Sequence, residues 1–182
     1  MKLLVQRESY RTCHIRLPED THRLPAITLD GKFYGFFRAL SDPVKTLGLL
    51  LKLSVRGNQA MMTMTNRGYA VWVYEPEGSL VPSSKKGVQA LPPTFGPADC
   101  WIISDHQPGY RTCSLKVPDL PDTIMGLSNN RKLYSLYRRE KDAADTLKLA
   151  ARLCQRGDEV VLMAGTAGYV ICIEEPGATI AP

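Results

Sequence analysis

The chain repeats itself. Displaced by about one hundred positions, its first half falls on its second half without a gap, a constant offset that chance does not produce. Tyr10-Arg11-Thr12-Cys13 meets Tyr110-Arg111-Thr112-Cys113, and Lys32, Tyr34 and Arg38 meet Lys132, Tyr134 and Arg138. Asp42, Thr46, Leu47, Leu49 and Leu53 meet Asp142, Thr146, Leu147, Leu149 and Leu153. Arg56-Gly57, Gly68-Tyr69 and Glu75-Pro76 meet Arg156-Gly157, Gly168-Tyr169 and Glu175-Pro176. A chain built this way has to fold as two like units. Residues shared by both copies serve the unit, and residues private to one copy are the places to look for function.

Residues 1–78 form the first unit and residues 100–182 the second. Between them, 79–99 reads as a linker, carrying Pro82, Ser83, Ser84, Gly87, Pro92, Pro93, Gly96 and Pro97 without periodicity. Each unit opens on a short apolar strand, turning near Glu8-Ser9 in the first copy and over 105–109 in the second. A second strand follows over 10–17 or 110–117. After a loop containing Pro and Asp comes a third strand over 32–38 or 132–138.

The helix is the best-marked element. Asp42 and Asp142 suit the N-cap, where a carboxylate accepts from the free amides of the first turn, and Pro43 suits the first helical position. Gly57 and Gly157 suit the residue just past the end, with Arg56 and Arg156 near the negative pole. A hairpin then turns at Asn66-Arg67-Gly68, matched by 165–168. The expectation is an α+β protein, a tandem duplication of a β-β-β-α-β-β unit. Leu47, Leu49, Leu50, Leu51 and Leu53 cover about 200° of the first helix, more than one sheet contact needs. That width predicts two units packed with pseudo-twofold symmetry, either as a monomer or within a homodimer.

Charge and cysteine content narrow the setting. Residues 1–78 carry 11 Lys and Arg against 7 Asp and Glu, while residues 100–182 carry 10 of each. The excess that makes the chain +5 thus lies in the first copy and the linker, on the side where an anionic partner would bind. Five cysteines, of which only the Cys13/Cys113 position is kept in both copies, argue for reduced thiols and a cytoplasmic location. The start of the chain is too short and too soon charged for a secretory signal, and no apolar run could span a bilayer.

Strand parity gives the chemistry. Cys13 and Cys113 share a face with Ile15 and Leu115, the core side, so they read as small hydrophobes. Lys32, Tyr34 and Arg38, with Lys132, Tyr134 and Arg138, fall on one face by even spacing. Basic residues interleaved with a ring suit phosphates and stacked bases. Tyr137 and Arg139 extend this set in the second copy, and Tyr10, Thr12 and Arg16 extend it in the first if their strands are neighbours. Arg11 with Glu75, and Arg111 with Glu175, read as structural ion pairs joining two strand ends. The histidines, His14, His22 and His106, have no histidine counterparts, and no metal-ligand spacing, phosphate loop or catalytic signature is present. No cofactor and no metal are expected. The sequence points to a non-enzymatic cytoplasmic binding protein, a regulatory or assembly adaptor with a protein partner and no membrane. RNA or DNA binding by the basic first copy is the second reading, and an enzyme with its site between the copies is the third.

Overall fold

A computed structural model describes residues 1–4, 10–82, 98–130 and 132–182. The chain divides into two compact units, Met1–Pro97 and Ala98–Pro182. The first contains β1 (Lys2–Leu4), β2 (Arg11–Arg16), β3 (Leu24–Leu29), β4 (Lys32–Leu40), α1 (Pro43–Val55), β5 (Ala60–Thr65), β6 (Gly68–Tyr74) and β7 (Ser79–Leu80). The second contains β8 (Cys100–Ser104), β9 (Tyr110–Lys116), β10 (Ile124–Asn129), β11 (Lys132–Glu140), α2 (Ala143–Gln155), β12 (Val160–Gly165), β13 (Gly168–Glu174) and β14 (Thr179–Ile180). The class is α+β, with roughly half of the chain in strands and two helices.

The order within each unit is β-β-β-β-α-β-β-β, two strands more than the sequence suggested. β3 occupies the segment expected to be a loop containing Pro and Asp. Pro25 lies opposite His14 of β2 and outside the stretch of β3, Ala26–Leu29, that pairs with β4. A proline is tolerated there because little of the ladder is lost. Asp30 and Gly31, both at positive φ (51° and 75°), make the tight β3–β4 turn. The segment expected as linker also starts later: Ser79–Leu80 is β7, paired with β2, and Val81 N donates to the His14 carbonyl. At its far end, Ala98 N donates to the Cys154 carbonyl and the Asp99 carbonyl accepts from Val160 N. The turn near Glu8-Ser9 and residues 83–97 of the expected linker lie outside the described residues.

Strand order is β1-β5-β6-β4-β3-β2-β7 in the first unit and β8-β12-β13-β11-β10-β9-β14 in the second. β1–β5 and β8–β12 are parallel, and the other pairings are antiparallel. In the second unit this order forces curvature. β8 and β9 are five strand spacings apart, about 24 Å across a flat sheet, yet only residues 105–109 connect them. Those residues are folded into turns, with Gln107 N bonded to the Ser104 carbonyl and Tyr110 N to the Gln107 carbonyl. The sheet therefore curls until its ends approach. Its inner face gathers Ile103, Leu127, Tyr134, Val161 and Cys172, all at most 4% exposed, with Trp101, Tyr110, Leu136, Met163 and Val170 around them. The first unit has the corresponding inner cluster of Leu4, Ile27, Tyr34 and Met61, joined by Tyr10, Leu29, Trp72 and Tyr74.

Each helix lies on the other face of its sheet, against β4, β5 and β6 or against β8, β11, β12 and β13. The helix ends are as the sequence specifies. Asp42 Oδ1 accepts from Val44 N and Lys45 N, and Asp142 Oδ1 accepts from Asp145 N. Gly57 N bonds to the Ser54 carbonyl and Asn58 N to the Leu53 carbonyl, a closure repeated by Gly157 and Asp158. Thr46, Leu47, Leu50 and Leu53 of α1 are buried, while Leu49 and Leu51 are half-buried. Neither helix is long and apolar enough to cross a membrane.

Candidate binding surface

The concave inner face carries most of the residues singled out by spacing. β2 and β4 are not neighbours; β3 lies between them, and Thr12, Ile27 and Tyr34 form one cross-strand row. Tyr10, Thr12 and Arg16 thus share the face of Tyr34 two strands away, with Thr12 and Arg16 exposed. In the second unit Tyr110, Asn129 and Lys132 form the same kind of row.

Two expectations about this face fail. Tyr34 and Tyr134 are core residues, 4% and 1% exposed, so neither ring can offer its face to a base. Arg38 does not share a face with Lys32, despite the even spacing. A β-bulge shifts the register between Phe36 and Arg38: Phe36 pairs with Trp72, but Arg38 pairs with the next residue, Val71, whose side chain is buried under the helix. Arg138 is displaced likewise, while the shift brings Arg139 opposite Val170 on the inner face. There Arg139 Nη2 lies 3.4 Å from Met125 Sδ. The bulge also turns Phe37 and Tyr137 outward, 52% and 49% exposed.

At one end of the inner face, the second unit is internally neutralised. Tyr134 Oη donates to Glu159 Oε1 at 2.8 Å, and the other Glu159 oxygen pairs with Lys132 Nζ, which also reaches Glu174 at 3.3 Å. Burial, and then the bond to Glu159, push the Tyr134 phenol far above its ordinary range. The Glu159 bond likewise raises Lys132. Burial raises Tyr110, whose hydroxyl bonds to Asn129. On the helix side, Arg138 Nε pairs with Glu140 at 2.7 Å.

The first unit replaces every carboxylate in that arrangement. Gln59 stands for Glu159, Tyr74 for Glu174 and Leu40 for Glu140. Lys32 Nζ instead sits 5.6 Å from the centroid of the Tyr74 ring. Three successive inner-face positions become aromatic: Phe36, Trp72 and Tyr74 stand where the second unit has Leu136, Cys172 and Glu174. Tyr74 packs on Tyr34 at 5.6 Å and Phe36 meets Trp72 edge-to-face at 5.5 Å, while Trp72 Nε1 donates to Thr63 Oγ1 at 3.0 Å. Phe36 is 37% exposed, and Trp72 and Tyr74 are half-buried. Spacing within one unit missed Trp72 and Tyr74; reading the differences between the two units along β6 and β13 would have found them.

The expected ion pairs are not made. Arg11, Thr28, Phe33 and Glu75 stand in that order across the sheet, with β3 and β4 separating the two charges. Among the described residues no salt bridge joins Arg11 to Glu75 or Arg111 to Glu175. Glu75 packs over Gly35 instead, and its burial raises its carboxyl, while Glu175 Oε1 accepts from Ser135 Oγ at 2.7 Å.

Cys13 and Cys113 lie on the helix-side face with Ile15 and Leu115, half-buried, whereas Cys100, Cys154 and Cys172 are buried. Burial pushes the Cys172 thiol up to about 12. A thiol-exchange reagent is expected to label Cys13 and Cys113 first and the other three only as the protein unfolds. Mass mapping that found Cys172 among the first sites would contradict this placement. His22 and His106 have side chains 90% and 92% exposed, and His14 is exposed on β2. Among the described residues no three His, Cys, Asp or Glu side chains converge. No family model, curated protein or solved structure matches the chain.

Proposed function

We propose that the chain is a tandem duplication acting as a cytoplasmic, non-enzymatic binding protein, an adaptor in which the first unit holds a macromolecular partner. One observation carries the reading. The inner face of the first unit carries an exposed phenylalanine and a half-buried tryptophan and tyrosine beside a lysine, at positions where the second unit has a leucine, a cysteine and a glutamate bound to its own lysine. Exposed rings on a sheet are costly to leave in water, and aromatic residues are enriched where partners dock. The second unit, whose Lys132 and Arg138 are met by its own carboxylates, serves as the structural counterpart.

The test uses matched substitutions. Tagged wild-type protein is expected to retain a partner from its host's cytosol that the Phe36→Ala variant loses and the Leu136→Ala variant keeps. Circular dichroism checks that both variants are folded. Equal capture by all three proteins, or equal loss from both variants, would count against the first unit as the binding side.

A further inference from the structure

We infer that the partner held on the inner face of the first unit is single-stranded nucleic acid, bound by base stacking on Phe36 and Trp72 and by phosphate contact with Lys32. This rests on the reading above of that face as the binding surface. Ring geometry is the first support. Phe36, 37% exposed, lies across from Trp72 on the neighbouring strand and meets its ring edge-to-face at 5.5 Å. A planar group of a flexible strand can lie on the exposed part of this pair. Bases all present a π-face, so stacking of this kind tolerates sequence.

Charge supplies the second support and selects among ring-seeking ligands. A cationic guest would be drawn to an aromatic face elsewhere, but here Lys32 already lies over Tyr74, and the first copy carries an excess of basic residues. Thr12 and Arg16 line the same face two strands away, exposed, with His14 between them. An anionic chain bearing flat rings meets both conditions at once. The contacts use phosphate and base, not sugar, so DNA and RNA are expected to bind alike. A duplex, whose base faces are stacked on one another, is expected to bind more weakly.

Fluorescence anisotropy with labelled single-stranded dT and U oligonucleotides, and with a duplex of the same length, tests the inference on the full chain. Binding should weaken steeply as salt rises. The Phe36→Ala change should weaken it by about 5- to 150-fold, the range of one stacked base, and Leu136→Ala should leave it unchanged. Lys32→Gln should reduce the slope of log affinity against log salt by about 0.7. Tryptophan emission should be quenched by the oligonucleotide in Trp101→Phe and not in Trp72→Phe, a readout that does not depend on Phe36→Ala folding. No binding at low salt, equal binding by Phe36→Ala, or quenching that survives in Trp72→Phe overturns the inference. If oligonucleotides fail while a cytosolic protein is still captured through Phe36, the ligand class falls and the surface stands. If capture is also insensitive to Phe36, both fall.

Discussion

Gly126→Ala is expected to destabilise the protein by about 3 kcal/mol, the upper end for overpacking a close-packed site. Gly126 of β10 faces Ser135 of β11, and a methyl group at Gly126 would overlap Leu115 Cδ1 and the Tyr134 carbonyl oxygen. The first unit solves the same place in the opposite way. There Ala26 faces Gly35, and a methyl group at Gly35 would come 2.7 Å from Leu24 Cδ2. Each unit thus has one glycine in this cross-strand pair, and in each a leucine of an adjacent strand end fills the space the glycine leaves. Isoleucine takes the other leucine's place, Ile15 for Leu115 and Ile124 for Leu24. Leu115→Ile combined with Gly126→Ala should therefore recover the part of the loss that comes from Leu115, because the branch that would overlap the new methyl is withdrawn, and leave the part set by the Tyr134 carbonyl oxygen. Urea denaturation of the two single variants and the double closes the cycle. A double variant no more stable than Gly126→Ala would mean that the backbone overlap, and not Leu115, sets the loss.

That exchange explains why part of the fold could be read from sequence and part could not. The helices were legible because their signals are local: Asp42 and Asp142 bond the first-turn amides, and Gly57 and Gly157 close the last turn. The final hairpin was legible for the same reason. β3 was hidden because its segment reads as a loop containing Pro and Asp, although Asp30 and Gly31 make the turn that ends it. β7 and β14 are two residues each, too short for any periodicity. The face of Arg38 was lost to a bulge that no count of even spacing can detect. Whether the ring of Tyr34 meets solvent was not legible, because alternation places a residue on a face without saying whether that face is covered. Packing against Tyr74 of the neighbouring strand covers it here, a contact that no single strand shows. Of the candidate surface, Lys32 was found by spacing, whereas Trp72 and Tyr74 required comparison of the two units.

Raising the pH above about 9 is expected to unfold the second unit steeply, because its inner face holds groups that must stay neutral. Cys172 is 1% exposed, and burial lifts its thiol from 9.0 to about 12; Tyr134, equally enclosed and bonded to Glu159, is lifted from 10.0. In both cases the folded state holds the proton more tightly than the unfolded one. Stability is therefore full below the unfolded pKa and falls as pH rises toward the folded value. Each group steepens the loss by up to ~1.4 kcal/mol per pH unit, Cys172 between pH 9 and about 12 and Tyr134 from pH 10 upward. Lys132, also raised, acts in the same direction, but its side chain is 44% exposed and its share is small. Urea midpoints measured from neutral pH upward should fall along this limb. Cys172→Ala should flatten its lower part and Tyr134→Phe its upper part, although each variant starts from a less stable protein at pH 7. For Tyr134→Phe the starting loss is about 1–3 kcal/mol, because Glu159 Oε1 loses a buried donor. Midpoints that stay level with pH, or a slope that neither substitution alters, would show that the inner face is open to solvent and hydroxide; the enclosed, curled sheet requires the opposite.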